Sequence, residues 1–342
     1  MAPSITVRFP TAAEEDLQRR FTVNRHYLQA MRRFLEASYG KGPDLHTRLR
    51  DAVRSRKAWE RIQRASDPNL DEVRRFLMLG WTSEAQLQMP STLGEGAPIA
   101  YFNAWAPVQA YYAIYGVMQA WFAANGISGL TDDHTAALKT MSATIRERDP
   151  FPAPWGLLSI GCPMRNERSY LNEPEGFDCA ASIELLTIPT PLDGPAEFWP
   201  RFGTWLRSTR KARLLRREED WKQKNGKTRV SSQARSMLAQ KLPPTSFFDC
   251  LWRMRIRANY GSVDSSITSY IPESDHRLFH WSLRECIDAT AGLLELYVAR
   301  KIGRDAFANI GQEFIANDGA GSVSKALRIR LEAYGLTPRR TR

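Results

Sequence analysis

AWAPVQAYYAIYGVMQAWFAANG, residues 104–126, decides the fold. It holds no charged residue, and none occurs anywhere between Glu95 and Asp132. Tyr111, Tyr115, Met118 and Phe122 recur at i, i+4, i+7 and i+11, which is one stripe of a 3.6-period helix. The run is long enough to span a bilayer, for which about 20 apolar residues suffice. Pro107, Gln109, Gln119 and its tyrosines make it a poor match to lipid, so it reads as a helix buried in a protein core, with a membrane or interfacial segment as the alternative. Gly126 ends it.

Helical patterning continues on both sides. Upstream, Leu17, Phe21, Tyr27, Met31 and Phe34 predict a long helix with Glu14 and Glu15 in its first turn and Gly40 after its end. A second helix is expected from Pro43 towards Ile62, and a third carries Val73, Phe76 and Leu77. MPSTLGEGAP reads as a loop. Downstream, Asp132 or Asp133 caps a helix whose first turn carries His134. Residues 150–195 are rich in Pro and Gly, with AASIELLTIP as the strand-like run. One or two helices follow across SQARSMLAQKLPPTSFFDCLWRMRIRANYG, then a long one over ESDHRLFHWSLRECIDATAGLLELYVARKIG and a short one in RIRLEAYG.

Composition bounds the function. The 342 residues carry a formal charge of +11, with 43% hydrophobic and 25% charged residues. That balance excludes a wholly disordered chain and points to anionic partners. Cys162, Cys179, Cys250 and Cys286 form no CxxC pair, which argues against a zinc site or a disulfide scaffold. The N-terminal residues show no basic run followed by an apolar one, and we expect a cytoplasmic protein. Walker, GxGxxG, HExxH and GxSxG motifs are absent from the sequence. No metal or cofactor is expected.

Charge concentrates at residues 201–229, where eleven Lys and Arg face three acids. Arg207, Arg210, Lys211, Arg213 and Arg217 recur at three- and four-residue spacing, followed by Lys222 and Lys224. Such a stripe neutralises phosphates and releases counterions. Trp205 and Trp221 are interleaved and would stack on unpaired bases. A solvated helix face, or a surface for an acidic protein, is the alternative. Arginine outnumbers lysine 38 to 10, which suits bidentate phosphate contact but equally follows from a GC-rich genome. Arg253, Arg255 and Arg257 alternate by two and scatter around a helix, forming an anion site or bracing a helix end. His134 is either a general base or a packing residue. His276 and His280 lie four apart, too few for a metal site by themselves.

The strings AYYAIYGVMQAWFAANG, DDHTAALKTM and LWRMRIRANYG together resemble the HEPN superfamily, small α-helical domains of prokaryotic toxin–antitoxin, antiphage and CRISPR-associated proteins. The tyrosine-rich helix resembles the family's second helix, His134 the start of its neighbour, and Arg255 to Gly261 an "R…ADY" segment with Asn259 in place of the acid. The resemblance covers about residues 101–145 and 245–312. It implies a helical bundle, frequent dimerisation and, in many members, metal-independent RNase activity through R-x(4–6)-H. That spacing occurs here in Arg19 or Arg20 with His26, in the N-terminal helix, and not after Arg255, so the family's nuclease centre does not carry over.

The sequence therefore predicts a mainly α protein: a HEPN-like bundle with an N-terminal helical extension (1–95), a first bundle part (96–149), a loop-rich basic insertion (150–244) and a second bundle part with a basic tail (245–342). Its expected role is binding nucleic acid, RNA before DNA, in a prokaryotic antiphage, toxin or CRISPR-associated system, together with a protein partner or a second copy. For a metal-independent endoribonuclease the candidates are His134, Arg255, Arg257 and Asn259. The alternative is a non-catalytic adaptor or structural subunit that docks a partner through the Tyr111/Tyr115 helix and the closing helix.

Overall fold

The uncharged helix sits at the centre of a mainly α structure. The computed structural model describes residues 12–92, 99–131, 133–164, 169–175, 177, 198–260, 271–317 and 324–336. Along the chain these form α1 (Ala12–Tyr39), α2 (Pro43–Arg54), a single turn α3 (Lys57–Glu60), α4 (Leu70–Gln88), α5 (Ile99–Ala124) and α6 (His134–Arg148). Two short strands follow, β1 (Leu158–Ile160) and β2 (Ser169–Leu171), paired antiparallel with Ser159 opposite Tyr170. Then come α7 (Phe198–Asn225), α8 (Ser232–Gln240), α9 (Phe247–Tyr260), α10 (Glu273–Ile302), α11 (Arg304–Asn317) and α12 (Lys325–Ala333).

α5 is buried on nearly every side, with α4, α9 and α10 packed around it. Its closest approach is to α4. A Cβ on Gly116 would lie 2.5 Å from the Gly80 nitrogen and 2.7 Å from its Cα, so the two backbones touch where neither residue has a side chain. Towards α10, Asn103 Nδ2 donates to the His276 carbonyl at 2.8 Å, and His280 Nδ1 lies 2.9 Å from Asn103 Oδ1. His276 and His280 thus serve as packing residues that orient α10 on α5. Among the described residues no His, Cys, Asp and Glu group could hold a metal, and no helix is long and apolar enough to cross a membrane.

The N-terminal helices are part of the same core rather than an extension from it. α1 stacks Phe34 on Phe198 at 4.2 Å and Tyr27 on Trp205 at 5.3 Å, and sets Phe21 against Phe279 at 4.9 Å. One buried cluster joins Leu28, Leu77, Phe122, Trp155, Phe247, Leu294 and Leu331, so the expected boundary at residues 95 and 96 does not separate two cores. The helix expected from Pro43 to Ile62 breaks after Arg54, and α11 was not foreseen. The strand-like run AASIELLTIP lies outside the described residues.

Opposite the basic side, α2, α4, α10 and α12 meet on a buried charge cluster. Arg330 is fully buried. Its Nη1 and Nη2 donate to the two oxygens of Glu84 at 2.7 Å each, and its Nε and Nη2 to those of Glu295 at 2.8 Å each. Nη1 also reaches Asp288 Oδ1 at 2.5 Å. Trp81 Nε1 donates to Glu295 at 2.7 Å, and His46 Nε2 lies 2.9 Å from Asp288. Burial opposes the Arg330 charge, but Glu295, Glu84 and Asp288 override it and hold the guanidinium protonated. Glu84 shows the surplus of negative charge: burial raises its carboxyl above the ordinary range, against the pull of Arg330. Gly292 leaves the space that the Tyr334 hydroxyl and the Arg330 side chain occupy.

Removing one member of such a cluster strands the rest. Arg330→Met leaves three carboxylates facing one another and is expected to cost about 3–5 kcal/mol in chemical denaturation. Gly116→Ala forces α4 and α5 apart and should cost about 1–3 kcal/mol by the same measurement. A midpoint unchanged in either variant would contradict the packing described.

Candidate nucleic-acid interface

α7 changes character halfway along. Its first turns bury Phe198, Phe202, Trp205 and Leu206 against the core, and its second half is cationic. Trp205 is only 2% exposed, stacked on Tyr27 and edge-on to Phe247 at 5.6 Å. This corrects the expectation that it offers a face to a base. Arg210 is likewise 2% exposed and donates to the carbonyls of Gly161 and Pro243 at 2.7 Å and of Ala239 at 3.0 Å. It staples α7 to the loop after β1 and to the end of α8, and is not available to phosphate. Burial lowers it to about 10.

The predicted stripe thus divides in two. Arg207 donates to the Pro163 carbonyl at 3.1 Å, and Arg213 to Asp249 at 2.5 Å, so these lie with Arg210 on the face that braces the fold. Lys211, Arg217 and Lys224 are exposed, as is Arg216. Lys222 pairs with Glu219 at 2.7 Å, and Trp221 is half-buried.

Between α6, α7 and α9 opens a cavity of about 400 Å³. Seven cationic side chains line it: Lys139, Arg213, Arg216, Arg217, Lys241, Arg253 and Arg257, against the carboxylates of Asp220 and Asp249. Asp249 is already committed. Its Oδ2 accepts from the Ser246 backbone N–H at 2.8 Å and from the Ser246 hydroxyl at 2.9 Å, an N-terminal box that starts α9. Its Oδ1 holds Arg213. Trp252 lines the same cavity, half-buried, with the Arg216 guanidinium 5.9 Å from its ring and its own Nε1 buried without a partner. Lys139, Arg216, Lys241, Trp252 and Arg253 were not among the predicted site residues. They come from four separate stretches, so linear charge density could not gather them.

The catalytic candidates fall in different places. Asp133 caps α6, accepting from the Thr135 and Ala136 amides at 2.9 Å each, and so fixes His134. Tyr111 Oη lies 3.0 Å from His134 Nδ1, and the Tyr115 ring is 4.5 Å from the imidazole. Arg255 Nη2 donates to the Tyr112 hydroxyl at 2.8 Å, with its guanidinium 5.7 Å from the Tyr111 ring. The tyrosine helix therefore brings His134 and Arg255 to one cluster. Arg257 is on another face of α9, among the basic residues. The Asn259 side chain lies outside the described residues. Tyr111 and Tyr115 are buried, at 2% and 4% exposure, which corrects the expectation that they form a docking surface.

Asp249→Asn should lower stability by about 1–3 kcal/mol, because a buried charge-assisted cap and the Arg213 pair are lost together. Thermal denaturation equal to wild type would show that Asp249 does not organise this wall. Compared with known proteins, the chain matches no family model, no curated protein and no solved structure.

Proposed function

We propose that the protein is a HEPN-like, RNA-binding component of a prokaryotic defence or toxin system, and that the cleft between α6, α7 and α9 grips the strand. One observation carries the binding reading: six cations besides the Arg213 that pairs with Asp249, together with a tryptophan, converge from four elements of sequence on one cavity. Cations so placed neutralise a phosphate backbone. Trp252 supplies a π-face and an unsatisfied N–H, which suits an unpaired base better than a duplex. The family and system rest on the resemblance of the tyrosine helix and the Arg255–Gly261 string.

A second reading, metal-independent RNA scission, is favoured by the hydrogen-bonded Tyr111–His134 pair beside Arg255. There His134 would take the proton of a ribose 2′-hydroxyl as it attacks phosphorus, Arg255 would stabilise the charge on the non-bridging oxygens, and the P–O5′ bond would break to give a 2′,3′-cyclic phosphate and a 5′-oxygen protonated from water. Incubation of RNA in EDTA tests it. Scission lost in His134→Ala supports it; intact RNA with the wild type leaves the binding role alone.

Binding is tested by anisotropy of a labelled single-stranded RNA across a salt series. Affinity should fall steeply with salt, and Arg216→Ala with Arg217→Ala should flatten the log–log slope by about 0.7 for each lost contact. A salt-independent affinity, or a double variant indistinguishable from wild type, would overturn the assignment of this cleft. Matched DNA run alongside tests the preference for RNA.

A further inference from the structure

On the other side of α9 lies a second cavity, of about 490 Å³, closed by α1 and α7. Arg253 and Arg257, one helical turn apart, line both cavities. The second one has features that the first lacks. Its single acid among the lining residues is Asp16, which pairs with Arg20 and, at 2.9 Å, with Arg19. Among the described residues no carboxylate pairs with Arg253 or Arg257, and Asp16, whose charge acts on Arg257, is held by Arg19 and Arg20. Arg253 donates to the Ser208 and Thr209 hydroxyls at 3.0 and 3.3 Å, and its Nε is buried without a partner. Arg257 has no hydrogen bond or ion pair among the described residues. Both are half-buried, and burial first, then repulsion from Arg253 and Arg20, lowers Arg257 to about 10.

Two half-buried guanidiniums without a counter-charge are costly in a folded protein. The same chain shows the ordinary solution at Arg330, which it surrounds with three carboxylates. Among the described residues no carboxylate neutralises this pair, and an anion of about two charges would. A phosphate monoester carries ≈ −1.5 to −2 at neutral pH and offers three acceptor oxygens, whereas a backbone diester carries one charge. Asn24 and Ser208 add polar contacts, while Val23 lines an apolar side against which a sugar can lie. The volume falls in the range of small-ligand pockets, about 300–1,000 Å³.

We infer that this pocket binds a phosphate monoester attached to a nucleoside: the terminal phosphate of an RNA strand or that of a free mononucleotide. The pocket shares Arg253 and Arg257 with the strand-gripping cleft, which lets a strand in the cleft present its end here.

The test compares one oligoribonucleotide bearing a 5′-phosphate, a 3′-phosphate or hydroxyls at both ends, and AMP against adenosine. A terminal phosphate should tighten binding about tenfold or more, from charge-assisted hydrogen bonds to two arginines. Preference among the oligonucleotides alone assigns a strand end; preference for AMP over adenosine assigns a free nucleotide. Ser208→Asp places a carboxylate against Arg253 and should abolish the preference while the melting temperature holds or rises, because a stranded cation gains a partner. Ser208→Ala, which keeps both arginines unpaired, should retain it. If Ser208→Asp melts early, Arg257→Met replaces it, read as the ratio of phosphorylated to hydroxyl affinity. No preference in any pair, or a preference that survives both Ser208→Asp and Arg257→Met, overturns the site. Because the dihydroxyl strand reports the cleft by itself, failure of the pocket and failure of the cleft give different results.

Discussion

A single buried guanidinium organises the half of the molecule away from the basic clefts. Arg330 draws carboxylates from α4 and α10, and His46 of α2 joins through Asp288. Every donor it has used points at a carboxylate oxygen, so the helices that carry those groups cannot slide without stranding a charge. Buried ion clusters of this kind contribute little net stability compared with an apolar core of the same shape. What they fix is register. Gly292 makes the arrangement feasible, since any side chain there would occupy the place of Tyr334 and Arg330. α5 then packs between α4 and α10, with Gly116 against Gly80 and Asn103 against His276 and His280.

The contrast with α9 gives the functional argument its weight. Arg330 and Arg210 are buried guanidiniums that the chain itself satisfies, the first by three carboxylates and the second by three carbonyls. Along α9, Trp252 Nε1, Arg253 Nε and Arg255 Nε are all buried without a partner. Buried donors left in this state are uncommon in native proteins. These three donors lie on the helix that the two basic cavities share.

Much of this was legible in the sequence, for identifiable reasons. α5 and α10 were readable because their length, composition and termination are local properties, as was the Asp133 cap of α6. The alternation of Arg253, Arg255 and Arg257 correctly implied different faces: Arg255 meets the tyrosine cluster and the other two meet the cavities. The basic stripe of α7 was read as one functional face, yet Arg207, Arg210 and Arg213 brace carbonyls and an aspartate. Helical spacing shows which residues share a face, but not whether that face turns to solvent or to another part of the chain. Trp205 illustrates the same limit: only the tertiary position of Tyr27, far away in sequence, makes it a core residue. The cleft itself, assembled from α6, α7, the α8–α9 connection and α9, had no signature in any single stretch.

The position of α6 ties the binding surface to the histidine cluster. Thr135, Leu138 and Lys139 line the cleft, and His134 directly precedes Thr135 in a first turn held by Asp133. α9 does the same from the opposite wall, with Trp252 and Ile256 in the cleft and Arg255 turned towards Tyr112. Two rigid helices therefore each present one face to the cleft and carry an adjacent residue into the tyrosine cluster. The cleft and the histidine cluster are thus joined by helix geometry, through adjacent residues of α6 and of α9.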